Sequence, residues 1–333
     1  MAMNELIDSH NRKISYLRIS VTDRCNLRCR YCMPPEGISQ LSHSEILSYE
    51  EILRLARVAV KRGITKVRIT GGEPLVRKGV VRLVQQLSTL PGLQDISMTT
   101  NGILLEEFAS ALFDAGLRRV NISMDSLNPD KYREITRGGD LSRVWEGVLA
   151  ARRLGIAPIK INVVAISGWN DTEILDFARL TLRDPLQVRF IEFMPLGSSS
   201  EWKEERCISG EEIRRRLEAF LPLEPVEREG NGHDGPARIF KFPGSPGEIG
   251  LISPISDHFC ASCNRLRLTS DGKLRTCLFS DEETDLKPLL RSGCTEAELE
   301  EKLDEALLKK PYRHGLVEGS RKRCLRPMVK IGG

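Results

Sequence analysis

Six of the nine cysteines in this 333-residue chain fall into two groups whose spacing suits metal rather than disulfides: Cys25, Cys29 and Cys32, then Cys260, Cys263 and Cys277. Cys207, Cys294 and Cys324 bring the count to an odd number, a poor disulfide framework that suits a reducing compartment, so a cytoplasmic protein is expected. Three thiolates within eight residues can hold three irons of a [4Fe–4S] cubane and leave the fourth open to a reacting ligand. Zinc is the alternative, but a structural zinc site wants four ligands, and no histidine or further cysteine stands near Cys25–Cys32. The second group is more ambiguous, because His258 could complete a Cys3His zinc site. It is followed directly by Arg265-Leu266-Arg267. On a strand the two arginines share a face while Leu266 points away, and two guanidinium forks suit a phosphate-bearing ligand better than a structural knot.

These groups need a scaffold, and residues 16–220 read as one repeated unit of strand, turn and helix. Strands are expected at Leu17–Val21, Lys66–Thr70, Asp95–Thr99, Arg119–Ser123, Ile159–Val164 and Gln187–Ile191. Helices are expected at 49–62, 78–89, 105–115, 141–154, 171–182 and 211–220, the first opening with the capping box Ser48-Tyr-Glu-Glu51 and stopping at Gly63. Six such alternations imply an α/β fold with a parallel sheet: a barrel, a partial barrel or an open doubly wound sheet. The first cysteine group follows the first strand, where such sheets present their ligand-binding loops.

Five of the strands alternate in polarity, although strands covered on both faces should be almost continuously apolar. Arg18/Ser20, Arg68/Thr70, Ser97/Thr99, Asn121/Ser123 and Lys160/Asn162 take one face, and Leu17/Ile19, Val67/Ile69, Ile96/Met98, Val120/Ile122 and Ile161/Val163 the other. Buried, unpaired charges are too costly for a dry core, so the expectation is a wet lumen that holds a polar, anionic ligand. An open sheet with one solvated face is the alternative. After residue 196 the rhythm lapses into turn-rich connections, short strands near 238–242, 249–252, 265–269 and 273–277, a helix near 295–309 and a basic tail from Tyr312.

Hydrophobic content of 40% and charged content of 29% are ordinary for a globular chain, and 50 basic against 46 acidic residues leave a net charge of only +4. That balance, with 5% aromatics and no basic stripe, argues against a nucleic-acid partner. No apolar run approaches a membrane span, and Met1–Asp8 carries acids without the apolar core of a secretory signal.

The Cys25-x3-Cys29-x2-Cys32 spacing, with Tyr31 before its last cysteine, resembles the radical S-adenosylmethionine superfamily, as does Gly71-Gly72-Glu73-Pro74 after the second strand. Adding the second triad, Arg265-Leu266-Arg267 and the ending Ile331-Gly332-Gly333, the chain from Tyr16 to Gly333 resembles the GTP 3′,8-cyclases, which catalyse the first step of molybdenum cofactor biosynthesis. The resemblance implies a partial (β/α)6 barrel of the radical S-adenosylmethionine type over residues 1–225. A C-terminal iron–sulfur extension with a Gly-Gly tail follows over residues 226–333. It implies two [4Fe–4S] clusters, one on Cys25, Cys29 and Cys32 and the other on Cys260, Cys263 and Cys277. It places Tyr31, Gly72, Ser123 and Met194 at S-adenosylmethionine, and Arg18, Arg68, Thr99, Lys160, Arg265, Leu266 and Arg267 at GTP. Gly332 and Gly333 would thread back and assist the chemistry, where without the family context a frayed terminus is the simpler reading.

By the same resemblance a 5′-deoxyadenosyl radical takes the hydrogen from ribose C3′, and C3′ then bonds to guanine C8 to give 3′,8-cyclo-7,8-dihydro-GTP. The implied partners are GTP, an electron donor such as flavodoxin or ferredoxin, and the downstream cyclic pyranopterin monophosphate synthase, with a homodimer as one assembly and no membrane. Two other readings remain at this point. One is a peptide- or porphyrin-modifying radical enzyme with an auxiliary cluster; the other is a zinc- or iron–sulfur-stabilised nucleic-acid-binding protein.

Overall fold

Six parallel strands follow one another in chain order: β1 (Tyr16–Ser20), β2 (Lys66–Thr70), β3 (Asp95–Thr100), β4 (Arg119–Ser123), β5 (Ile159–Ala165) and β6 (Leu186–Glu192). They belong to a computed structural model that describes residues 5–197, 201–227, 235–316 and 324–332. Six strands were expected, within a residue or two of these bounds. The sheet does not stop there.

The later strands are β7 (Glu224–Pro225), β8 (Arg238–Lys241), β9 (Glu248–Ile252), β10 (Arg265–Leu268), β11 (Lys273–Arg275) and β12 (Thr284–Asp285). β9 pairs parallel with β6 and β10 pairs parallel with β1, so eight strands run parallel; β8–β7 and β11–β12 extend the two edges antiparallel. The strand order β12-β11-β10-β1-β2-β3-β4-β5-β6-β9-β8-β7 has two open ends, so the barrel is partial. The segment after residue 225 thus completes the same sheet from both sides.

The helices are α1 (Tyr49–Lys61), α2 (Val80–Ser88), α3 (Leu105–Asp114), α4 (Pro129–Thr136), α5 (Leu141–Arg153), α6 (Ile174–Leu180), α7 (Gly210–Glu218), α8 (Lys287–Arg291), α9 (Glu296–Leu308) and α10 (Met328–Ile331). α1 begins at the expected capping box, Ser48 and Glu51 each bonding the other's backbone N–H. It buries Ile52, Leu55, Ala56 and Val58 in one core with Leu17, Ile19, Val67 and Ile69, the apolar faces of β1 and β2. Each such branched side chain contributes about 1.5–3 kcal/mol on leaving water, which clamps the helices to one face and leaves the other to the polar residues. The short elements β7, β12, α8 and α10 were not expected, and two helices of the repeated units differ from expectation. α4 was not anticipated: Pro-Asp-Lys-Tyr-Arg-Glu-Ile-Thr shows too few apolar residues for a helical stripe, and it forms because Asn128 caps the N–H groups of Asp130 and Lys131. The helix expected over 171–182 opens as a 3-10 turn at Asp171–Glu173 and is helical only as α6.

Candidate active site

Parallel pairing aligns Arg267 of β10 with Arg18 of β1, and Arg18 with Arg68 of β2. Three guanidiniums in one row across three strands repel each other, so the row favours an anion beside it. Burial, with Arg68 and Arg265 nearby, pushes Arg18 down to about 10, and burial with Arg18 and Arg265 lowers Arg267 well below its ordinary value. Farther round, burial and then the cations Arg189, Arg119, Arg68 and Lys66 depress the Lys160 ammonium to about 6. Tyr16 Oη, Thr99 Oγ1 and Asn162 Oδ1 are buried with no hydrogen-bond partner among the described residues. Tyr16, Thr99, Asn162 and the arginine row all line one cavity. Its cations and orphaned polar atoms fit a large anion that also carries donors.

The first triad stands at the mouth of β1. Cys25, Cys29 and Cys32 are unpaired thiols that line this cavity. Burial raises all three, Cys25 to about 11 and Cys32 to about 12. Thiols so placed become thiolates only when a metal cation replaces the proton, which fits an iron–sulfur ligand set. The Gly-Gly-Glu-Pro turn packs tightly behind them: Gly72 N–H donates to the Thr22 carbonyl at 2.7 Å, and Glu73 N–H to that of Arg24 at 2.8 Å. A Cβ on Gly72 would lie 2.3 Å from the Arg24 carbonyl oxygen, so only glycine permits this approach. Glu73 is fully buried, accepts from Leu75 N–H, Thr100 Oγ1 and Asn101 N–H, and is nonetheless pushed up to about 7 by burial. Tyr31 donates to Asp125 Oδ2 at 2.8 Å. Tyr31, Gly72, Ser123 and Met194 all line the cavity beside the triad.

Cys260, Cys263 and Cys277 line the same cavity. Burial opposes ionisation of Cys263, but Arg265 and Lys310 overcome it and bring the thiol down to about 6. Arg265 Nη2 stands 3.8 Å and Lys310 Nζ 3.6 Å from this sulfur. Arg12 holds the loop from below. Its guanidinium pairs with Asp8 at 2.6 Å and donates to the carbonyls of Cys260, Tyr312 and Pro311 at 2.7, 2.9 and 2.7 Å. His258 stacks edge-on with His314 at 5.5 Å. Among the described residues no three His, Cys, Asp or Glu side chains are gathered as ligands of a single metal ion.

Most sequence-selected residues therefore meet in one cavity. Three do not line it. The Leu266 side chain is 1% exposed and packs in the apolar core, as its alternation with Arg265 and Arg267 requires. Lys160 is 6% exposed and stands two residues before the cavity-lining Asn162 on the same face of β5. Gly332 sits under the lining with φ +83°, its carbonyl accepting from Arg267 Nη1 at 3.0 Å, so the tail does return into the barrel. Gly333 lies outside the described residues. Sequence reasoning missed Arg189, Asp125, Arg12 and Lys310. Arg189 was within reach, since Gln187/Arg189 continues on β6 the alternation noted on its neighbours.

Family comparisons agree with this geometry. The Radical SAM superfamily pattern matches residues 19–181 and the Molybdenum Cofactor Synthesis C pattern residues 186–316. The chain is 53% identical over 326 residues to the GTP 3′,8-cyclase of Alkaliphilus oremlandii, covering 98% of this chain and 99% of that one. It is 52% identical over 328 residues to that of Desulforamulus reducens, covering 98% and 100%. Its fold is similar to that of Streptococcus suis SuiB in a crystal structure with S-adenosylmethionine, with a TM-score of 0.60 and 16% identity over 96% of this chain and 78% of that one. The chain belongs to the GTP 3′,8-cyclase family of the radical S-adenosylmethionine superfamily.

Proposed function

We propose that this cavity converts GTP to 3′,8-cyclo-7,8-dihydro-GTP, the first step of molybdenum cofactor biosynthesis. The observation that carries the reading is that both cysteine triads and the aligned Arg267–Arg18–Arg68 row border a single cavity. When bound at Cys25, Cys29 and Cys32, a [4Fe–4S] cluster with S-adenosylmethionine supplies the agent that removes a hydrogen atom from ribose C3′.

The chain's own part is placement. Tyr31, Gly72, Ser123 and Met194 would bind the S-adenosylmethionine. Arg18, Arg68, Lys160 and Arg267 would neutralise the triphosphate, Thr99 would supply a hydroxyl, and Arg265 would face the nucleotide beside the second triad. Cys260, Cys263 and Cys277 would hold a second [4Fe–4S] cluster that receives the base. Fixing ribose and base at opposite ends brings C3′ and C8 into contact, an advantage that oriented intramolecular reactions share. Buried walls keep other hydrogen donors away from the reacting carbon. Gly332 and Gly333 would assist the chemistry, a role that the return of Gly332 to Arg267 supports. The hydrogen lost at C3′ is balanced by a proton and an electron, so product and GTP have equal mass. The function divides along the chain, residues 1–225 generating the reactive group and residues 226–333 holding base and tail. A small electron carrier such as flavodoxin or ferredoxin, the downstream cyclic pyranopterin monophosphate synthase, a homodimeric assembly and a cytoplasmic site complete the proposal. No helix among the described residues is long and apolar enough to cross a membrane.

Anaerobic incubation of reconstituted protein with dithionite, S-adenosylmethionine and GTP tests the proposal by mass analysis. Expected are 5′-deoxyadenosine and a cyclised nucleotide of unchanged mass, both abolished by Cys29→Ala. Cofactor cleavage without any new nucleotide would overturn it.

A further inference from the structure

Lys310 is the least expected cation in the molecule. It lies two residues beyond α9, is 3% exposed, and among the described residues no carboxylate pairs with it. Its ammonium instead donates to the carbonyls of Thr276 at 2.6 Å and Arg265 at 3.1 Å, with Cys263 Sγ at 3.6 Å. Thr276 immediately precedes Cys277, and Arg265 lies two residues after Cys263. One side chain thus spans the backbone beside two members of the second triad and touches the sulfur of one. The next two residues, Pro311 and Tyr312, give their carbonyls to Arg12, which also holds the carbonyl of Cys260. All three cysteines are braced by the 310–312 strap or by the arginine that clasps it.

A buried ammonium without an anion is strongly unfavourable. Two carbonyls satisfy its hydrogens but not its charge. The charge is met at the triad, where the Cys263 sulfur stands 3.6 Å away as a thiolate and a cubane held by three thiolates is anionic. Hydrogen bonds to cluster sulfurs and nearby positive charge favour the reduced, more negative state.

We propose that Lys310 retains and tunes the second iron–sulfur cluster, donating to the Cys263 sulfur and raising that cluster's reduction potential. This inference rests on the reading of Cys260, Cys263 and Cys277 as cluster ligands. Lys310 is a positioning residue, and nothing in its placement requires contact with GTP.

The test compares wild type with Lys310→Met, Lys310→Gln and Lys310→Arg, each reconstituted anaerobically, with circular dichroism to confirm folding. Iron and acid-labile sulfide are counted. The second cluster's potential is then read by EPR-monitored titration in chains whose first triad is replaced by alanine. Wild type is expected to hold about eight irons. The Met and Gln variants either fall to about four irons or keep the cluster with a more negative midpoint, while Arg stays near wild type; both results support the proposal. A folded Met or Gln variant with about eight irons and an unmoved midpoint overturns the role of Lys310. A wild type holding only about four irons instead overturns the second cluster, and this proposal with it.

Discussion

Arg267 donates from Nη1 to the carbonyl of Gly332 at 3.0 Å, so a guanidinium of the arginine row is also the seat of the C-terminal tail. Arg267 and Gly332 are 65 residues apart in sequence and meet beneath β1 and β2. At φ +83° a Cβ on Gly332 would stand 2.5 Å from Thr70 Oγ1 and 2.9 Å from Ser20 Cβ. Gly332→Ala therefore carries both backbone strain of about 1–3 kcal/mol and a clash with two strands. Cyclisation is expected to fall about tenfold or more, with S-adenosylmethionine cleavage persisting uncoupled. The ratio of 5′-deoxyadenosine to cyclised nucleotide measures this. A variant with the wild-type ratio would show that the tail is a bystander.

Lys160 makes a thermodynamic prediction about binding. Burial and the neighbouring cations set it at about 6, so at pH 7.5 the empty site holds it mostly neutral. A triphosphate alongside favours the ammonium and raises that value. GTP binding should then take up a proton, approaching one per site near pH 7.5 and vanishing below about pH 6, where Lys160 is already charged. Titration calorimetry in buffers of different ionisation enthalpy counts the proton directly. Lys160→Met should abolish the uptake; an unchanged count would assign it elsewhere.

The strands of the barrel and its polar face were legible because alternation with period two is a local signal: Arg18, Arg68, Thr99, Ser123 and Asn162 reach the cavity as the sequence pattern requires. What was not legible is long-range. Nothing local in Glu248–Ile252 or Arg265–Leu268 tells that these short segments pair with β6 and β1 and raise the parallel count from six to eight. Lys310, between the helix expected near 295–309 and the basic tail from Tyr312, carries no local signal, and only folding sets it against Cys263, 47 residues away. Asp125 is similar. Its role appears only when Tyr31, 94 residues earlier, donates to it.

Glu73 gives the apoprotein an unusual pH dependence. Its folded value of about 7 lies above its ordinary 4.5, so the folded state binds the extra proton between those limits. Stability from this group is present below about pH 4.5 and is lost as pH rises to 7, by about 3 kcal/mol in all. Glu73→Gln mimics the protonated acid. Measured by urea unfolding under reducing conditions, the stability of Glu73→Gln relative to wild type should rise across that window and level off above it. A flat difference would mean that its three hydrogen bonds already compensate the burial.

Arg12 predicts how the two triads separate. Its partner Asp8 accepts at 2.6 Å and both are buried, with Asp8 held below its ordinary value despite burial by the Arg12 and His10 backbone N–H groups and the guanidinium. Removing the guanidinium leaves a buried carboxylate alone and frees three carbonyls, a loss of about 3–5 kcal/mol for the ion pair. The damage is local, because those carbonyls belong to Cys260, Pro311 and Tyr312 and none to the first triad. Arg12→Gln should therefore lose iron from the second triad while keeping about four irons and S-adenosylmethionine cleavage at the first. Asp8→Asn, which leaves the guanidinium in place, should lose less of both stability and iron. If Arg12→Gln emptied both triads equally, the clasp would be holding the whole barrel instead of one loop.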